Sequence, residues 1–479
     1  MKKYILYLFA LLMCNCCFGQ GYQVTLQAPQ YKSGIAYLTY YWGTNLNVAD
    51  SAAVSNTGTA IFKGKDKLPG GIYVVVLPGK NLRTDFLIDK EQLISIKIPD
   101  TTDLLNKTVV TGSKENVLYV QYQKYVAEKG KQLEDERRAF AASTNKQDSA
   151  LHEKNYNLHN NELNTYRDGI IKNQSTSMMA ALLKAMKEPT VPIARPHTRA
   201  DTLANYNYYK AHYWDGVTFM DDRIIRTPFF LKRIERYYEE VLPQSSDSII
   251  KDIDYKLLLA RNNLEMYKFL MNWLTDEYIN PKYMGQDAVF VHLFTKYHSQ
   301  GSTSWLNQKQ MDIISRRAYM LMDNLVGAKA ANLEMLDSSG KPSALYDVKA
   351  DYTVVVFWDP NCGHCKEEVP RLDSIYQASW KNHNLKVFAV LTPDEKENAK
   401  PDWEKFINEH NLGEWTHVYK TKAMEDADFA AQKPGFRQLY DISLTPTLYL
   451  LDKDKNIIAK KLSILQLNEL LEVKWKTKS

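Results

Sequence analysis

Two cysteines, Cys362 and Cys365, stand close together in Phe357-Trp358-Asp359-Pro360-Asn361-Cys362-Gly363-His364-Cys365. Behind a β-branched run and ahead of a helix, a C-x-x-C pair brings two thiols near enough to form a disulfide, which suits dithiol–disulfide exchange. At the helix N-terminus Cys362 would meet unpaired backbone N–H groups and the positive end of the dipole; both favour a thiolate and make it the nucleophile. Cys365, one turn inside, is then the resolving thiol that attacks the mixed disulfide and releases the client. Zinc binding is the rival chemistry, and it lacks a second ligand pair at a suitable spacing.

The other three cysteines, Cys14, Cys16 and Cys17, lie within the first twenty residues. Lys2 and Lys3, the apolar stretch Tyr4 to Met13 and the small residue Gly19 before Gln20 have the order of a secretory signal peptide over residues 1–19. The apolar run is too short for a stable bilayer span. A lipid anchor on Cys14, Cys16 or Cys17 is the alternative, but the preceding Met13, Asn15 and Cys16 are poor substitutes for the small residue that such processing favours. Soluble export is the expectation. It places Cys362 and Cys365 in the periplasm or cell envelope, outside the reducing cytosol.

The elements that must position this pair follow from texture along the 479 residues, enough for about three domains. The formal charge of +5 becomes +3 without Lys2 and Lys3 (5 − 2), with both signs interspersed, which excludes a nucleic-acid signature. Residues 20–114 read as short alternating strands between Gly, Pro and Asp turns, predicting an antiparallel β-sandwich. Asp50-Ser51-Ala52 to Phe62-Lys63-Gly64, Gly71-Ile72-Tyr73 and Gly112-Ser113-Lys114-Glu115-Asn116 resemble an uncharacterised β-domain that precedes thioredoxin-like domains in exported Gram-negative proteins. That resemblance implies architecture and no activity.

Residues 115–325 change to helical spacing, with Ile253, Leu257, Ala260, Leu264, Tyr267, Leu270, Met271 and Leu274 on one buried stripe. Val117 to Ile171 is polar with sparse apolar positions, which predicts a weakly packed helical hairpin. His152 and His159 could share a helix face, yet no convergent acid or HExxH pattern makes them a metal site. Tyr208, Tyr209, Tyr213 and Trp214 read as core or interface aromatics ahead of a client or glycan groove. Tyr206 to Trp214 and Met284-Gly285-Gln286-Asp287-Ala288-Val289 resemble a helical module of unknown function from the same kind of exported protein.

Residues 326–479 predict an α/β domain. Tyr352 to Trp358 is a continuous apolar run, as in a central buried strand. It precedes a helix from Lys366 to Trp380, a strand at Leu385 to Leu391, a helix at Asp402 to His410, strands at Thr447 to Leu451 and Asn456 to Lys460, and a terminal helix from Ile464 to about Lys474. Phe357-Trp358, Cys362-Gly363-His364-Cys365, Pro370 and Tyr440-Asp441-Ile442-Ser443-Leu444-Thr445-Pro446-Thr447 resemble the thioredoxin fold. The resemblance is to exported thiol–disulfide oxidoreductases related to cytochrome-maturation and respiratory thioredoxin-like proteins, and it covers about one third of the chain. The extra length between Leu391 and Tyr440 fits an added helix and strand of that subgroup, and Gly327 to Lys341 its N-terminal hairpin.

The resemblance implies that Pro446 follows a cis bond, with the Thr445 backbone pairing with an extended client strand beside Trp358. Gly363 and His364 match the pair found in protein disulfide isomerases, so the expected potential lies toward about −180 mV rather than the thioredoxin value of about −270 mV. His364 either adds a cationic donor near the Cys362 sulfur or is simply an exposed helix residue. Plain thioredoxin has a buried Asp where this chain has Val356, and Asn361 replaces a commoner large residue. Glu368, one turn past Cys365, either takes the resolving proton through water or is a solvated acid beside Glu367.

The resulting expectation is an envelope thiol–disulfide oxidoreductase, a reductase or isomerase of exported clients, cycling between a Cys362–Cys365 dithiol and disulfide. It needs no dissolved cofactor and no metal, and a membrane electron donor recharges it if it reduces. The N-terminal regions would select clients or mediate self-association. A cell-surface binding or scaffold protein with a structural or redox-sensing module is the rival class.

Overall fold

The computed structural model describes residues 21–393 and 399–476. The expected signal peptide, and with it Cys14, Cys16 and Cys17, lies outside the described residues. The chain divides into two compact units, Met1–Pro243 with Tyr255–Phe269, and Gln244–Asp254 with Leu270–Ser479. Among the described residues no helix is long and apolar enough to cross a membrane.

The first unit opens with eight strands: β1 (Tyr22–Gln27), β2 (Ile35–Trp42), β3 (Asn45–Ala53), β4 (Thr59–Gly64), β5 (Gly71–Val76), β6 (Arg83–Ile88), β7 (Leu93–Lys97) and β8 (Val109–Thr111). They form two four-stranded sheets, ordered β4-β1-β7-β8 and β3-β2-β5-β6. Alternation puts Val24, Leu26 and Phe62 of one sheet and Leu38, Val75 and Phe86 of the other into one buried cluster. The expectation of purely antiparallel pairing fails at β1, which pairs with β7 in parallel, because the chain visits the other sheet between these two strands. Gly58 closes the turn before β4 with φ of +79°, and a Cβ there would lie 2.4 Å from the carbonyl oxygen of Ala28.

Ser113 N-caps the helix Lys114–Ala142 by accepting from Asn116 N at 3.3 Å. The fully buried Asn116 amide then accepts from Leu87 N and donates to Leu87 O, each at 2.7 Å, and so continues the hydrogen-bonding edge of β6. That helix pairs with Lys146–Asn173 as a polar hairpin, in which only Asn116, Tyr119 and Tyr122 of the first helix and Leu163 and Ile170 of the second are buried. His152 bonds Glu136 at 2.6 Å and His159 bonds Glu162 at 3.3 Å. Tyr213 is a core aromatic and Trp214 is half-buried beside it, the two rings edge-on to each other and both packed on Tyr237, whereas Tyr208 is exposed.

The single stripe expected from Ile253 to Leu274 is divided between helices Ser246–Ala260 and Leu264–Tyr278. Asn263 breaks it: its N–H bonds Ala260 O at 2.9 Å, its side chain accepts from Met266 N at 3.0 Å, and Leu264 is left 58% exposed.

The second unit carries a seven-stranded mixed sheet of β9 (Glu334–Asp337), β10 (Pro342–Ala344), β11 (Tyr352–Trp358), β12 (Leu385–Leu391), β13 (Thr416–Tyr419), β14 (Thr447–Asp452) and β15 (Ile457–Lys460), ordered β10-β9-β13-β12-β11-β14-β15. β11 is buried throughout, parallel to β12 and antiparallel to β14. Its alternate side chains serve two cores. Val354, Val356 and Trp358 meet Cys365, Val369 and Leu372, while Val355 and Phe357 meet Phe388, Val390 and Tyr449. Helices Gly363–Ala378 and Ile464–Lys476 contribute to the first core, and β13 is the added strand beside β12.

Candidate active site

The chain leaves β11 through a tight turn whose chemistry resides in Asp359. Its carbonyl accepts from Cys362 N at 3.1 Å and its Oδ1 from Asn361 N at 2.8 Å, the local bonding that an Asp-Pro-Asn sequence favours. Cys362 is the N-cap of the helix Gly363–Ala378, and its carbonyl already accepts from Lys366 N at 3.1 Å. The helix therefore begins at Gly363 and not at Lys366, and its start goes unmarked in the sequence because a cysteine is not one of the usual capping residues.

On the other side of the pair, the Thr445-Pro446 peptide bond is cis, the isomer that the resemblance implies. The Cys362 Sγ donates to the carbonyl oxygen of Thr445 at 3.4 Å. The loop that carries Thr445 is secured around it. Thr447 Oγ1 donates to Leu444 O at 2.6 Å, the buried Tyr449 hydroxyl donates to Tyr440 O, and Leu444 itself is 77% exposed.

The two thiols are electrostatically unlike. Burial is the largest influence on Cys362 and opposes its thiolate. The backbone N–H of Cys365, the side chains of Thr445 and Cys365 and the backbone N–H of His364 together outweigh it and hold the Cys362 thiol below its ordinary value. Cys365 is fully buried, and burial pushes its thiol up to about 12, with negative charge on Cys362 acting in the same direction. One sulfur is thus half-exposed and ready to ionise; the other is enclosed and protonated. Both are free thiols in this structure.

The remaining expected residues fall less neatly. Trp358 was expected against the client, but it is completely buried, with its ring 5.2 Å from Phe406, and so forms the floor of the site. Period-2 burial explains this: Trp358 shares the face of Val354 and Val356, the face that the active-site helix covers. The His364 ring is exposed, and among the described residues it makes no hydrogen bond; the backbone N–H of His364 is what supports the thiolate. Gly363 is exposed at the first helical position, and a Cβ there would meet nothing within 4 Å. Glu368 lies half-exposed and bonds Arg371 at 3.3 Å along the helix. The turn role of Asp359 does not follow from the C-x-x-C pattern, and the turn propensity of Asp-Pro-Asn is the sequence signal for it. Asp441 and its partner Arg317 are 124 residues apart, and no local sequence pattern links them.

Parts of the chain are similar to known proteins. Residues 326–460 match the model of the AhpC/TSA family, and residues 22–119 match a domain of unknown function (DUF4369). A relative from Bacillus cereus, described as thiol-disulfide oxidoreductase ResA, is 27% identical over 135 residues, 28% of this chain and 68% of that protein. A domain of a possible thiol-disulfide isomerase from Cytophaga hutchinsonii is 37% identical, covering 32% of this chain and 95% of that one at a TM-score of 0.27. The thioredoxin domain of a thiol-disulfide oxidoreductase from Bacteroides vulgatus is 28% identical over 31% of this chain and 95% of that one, at a TM-score of 0.26.

Proposed function

We propose that this chain, whose C-terminal region is a thioredoxin-like domain of the thiol–disulfide oxidoreductase class, is an enzyme that reduces or isomerises disulfides of exported proteins in the cell envelope. The observation that carries the reading is the opposed ionisation of two thiols one helical turn apart: Cys362 half-exposed and held low, Cys365 buried and held high. That asymmetry fixes the order of events.

The Cys362 thiolate attacks a client disulfide, forming a Cys362–client bond while the client's other sulfur leaves as a thiolate. Cys365 then gives up its proton and attacks the Cys362 sulfur, which forms the Cys362–Cys365 disulfide and expels the second client thiolate. Two electrons pass to the client. A membrane donor of two electrons and two protons would restore the dithiol for the next reduction; in isomerisation the client itself displaces Cys362 before Cys365 acts. No dissolved cofactor enters either cycle. Thr445 and Pro446 present backbone to an extended client segment, Trp358 supports them from beneath, and Gly363 and His364 set the poise. Glu368 takes the resolving proton through water, with Arg371 holding its carboxylate near the helix.

The export expected from residues 1–19 supplies the oxidising compartment this chemistry needs. The β-sandwich over 20–114 and the helical domain over 115–325 hold or select clients, or join copies of the chain. An insulin-reduction assay tests the assignment. Activity is expected from the full-length chain and is expected to vanish in Cys362→Ser; an equal rate in that variant, or no thiol-dependent turnover in the parent, returns the protein to the scaffold class.

A further inference from the structure

At one end of the seven-stranded sheet three features stand in a row. The dithiol follows β11, the Thr445-Pro446 loop precedes β14, and Lys461 follows β15, since β14 runs antiparallel to both neighbours. Beyond Ser443, two residues before Thr445, opens a cleft of about 640 Å³. Its rim carries Tyr283 and Met284, 58% and 44% exposed, and its wall carries Arg317, Asp441 and Lys461.

The charges in that wall do not balance. The Asp441 side chain is 3% exposed and has both oxygens engaged, Oδ1 by Arg317 Nη1 at 2.6 Å and Oδ2 by Lys461 Nζ. Arg317 is fixed further by donating from Nε to Ile279 O at 3.0 Å. Two cations therefore share one buried anion, and their side chains remain 21% and 38% exposed. The other charges of the cleft cancel in pairs: Lys460 with buried Asp287, and Lys282 with Glu277 at 3.2 Å. Among the described residues that line the cleft one positive charge is left over, carried on groups already oriented by Asp441, and a carboxylate is the ligand that would neutralise it.

We propose that this cleft is a client-selecting subsite that takes an acidic side chain of the segment undergoing exchange at Cys362. The inference rests on the oxidoreductase reading and names its substrate preference. Two strand spacings of about 4.8 Å separate the dithiol from the end of β15, and an extended chain advances about 3.3 Å per residue, so the acid belongs roughly three residues from the client cysteine. Arg317 lies on the helix Gln308–Met322, ahead of the thioredoxin-like segment, which gives that helix a part in recognition.

The test compares blocked peptides that each carry one cysteine as a disulfide with 2-mercaptoethanol, and either Glu or Gln three residues to one side or the other. Reduction by the full-length reduced protein is followed at low and high salt, and each rate is divided by that for 2-hydroxyethyl disulfide with the same variant, so changes in the dithiol itself cancel. A Glu peptide is expected to react about three- to fivefold faster than its Gln counterpart, the size of one partly exposed ion pair. The advantage is expected to fade in salt, to disappear in Lys461→Gln and to return in Lys461→Arg. Equal peptide rates, or a Glu preference that survives Lys461→Gln, overturn the proposal. So does Lys461-dependent binding of inorganic phosphate without any peptide preference, which makes the cleft a free-anion site. Failure to reduce even 2-hydroxyethyl disulfide removes the redox reading itself, a separate outcome from equal peptide rates.

Discussion

Cys362 and Cys365 differ in the free energy of their ionised forms although only two residues separate them. A helix N-terminus supplies Cys362 with backbone N–H groups, whereas the same helix turns Cys365 into the core beneath β11. Resolution therefore needs a proton acceptor for a thiol that holds its proton tightly, and Glu368 is the acid of this helix one turn beyond Cys365. In Glu368→Gln the attack of Cys362 on a small disulfide is expected to be unchanged, while release of the mixed disulfide slows about tenfold or more near neutral pH. Single-turnover kinetics from pH 6 to 9 separate the two steps. An identical pH profile in the variant reduces Glu368 to the surface partner of Arg371.

At the scale of elements, legibility followed the range of the forces involved. β11, β12 and β14 could be read because each is a short, predominantly apolar run, and the structure places them within a residue of their expected bounds. The active-site helix starts earlier than its periodicity suggested, since Gly363 and His364 add no apolar position to the stripe. Splitting of the stripe at Asn263 depended on a single side-chain bond, and the parallel β1–β7 pair on the path of the chain between sheets. The Ser113-Lys114-Glu115-Asn116 motif, read only as a resemblance, acquires a physical cause in the two bonds from Asn116 to Leu87. Asn116→Ala would leave a buried N–H and C=O unpaired and is expected to cost about 2–4 kcal/mol. Urea unfolding measures this, and a loss below about 0.5 kcal/mol would show that the bonds to β6 do not hold the helix in place.

For the molecule as a whole, the sequence exposed the redox chemistry because it is local: two thiols, a turn and a helix start within nine residues. The site's surroundings were not legible in the same way. Trp358 points inward because of which face of β11 the helix covers, and the Arg317–Asp441–Lys461 arrangement joins three distant segments through burial of one carboxylate. The central claim nevertheless concerns the pair itself, and alkylation of the reduced full-length protein by iodoacetamide, followed by mass analysis of each cysteine as a function of pH, tests it most directly. Since only thiolates react, Cys362 is expected to be modified first, with a half-maximal rate at a pH below the free-cysteine value of about 8.5, while Cys365 stays protected through pH 9. Equal reactivity of the two thiols, or earlier modification of Cys365, would contradict the account.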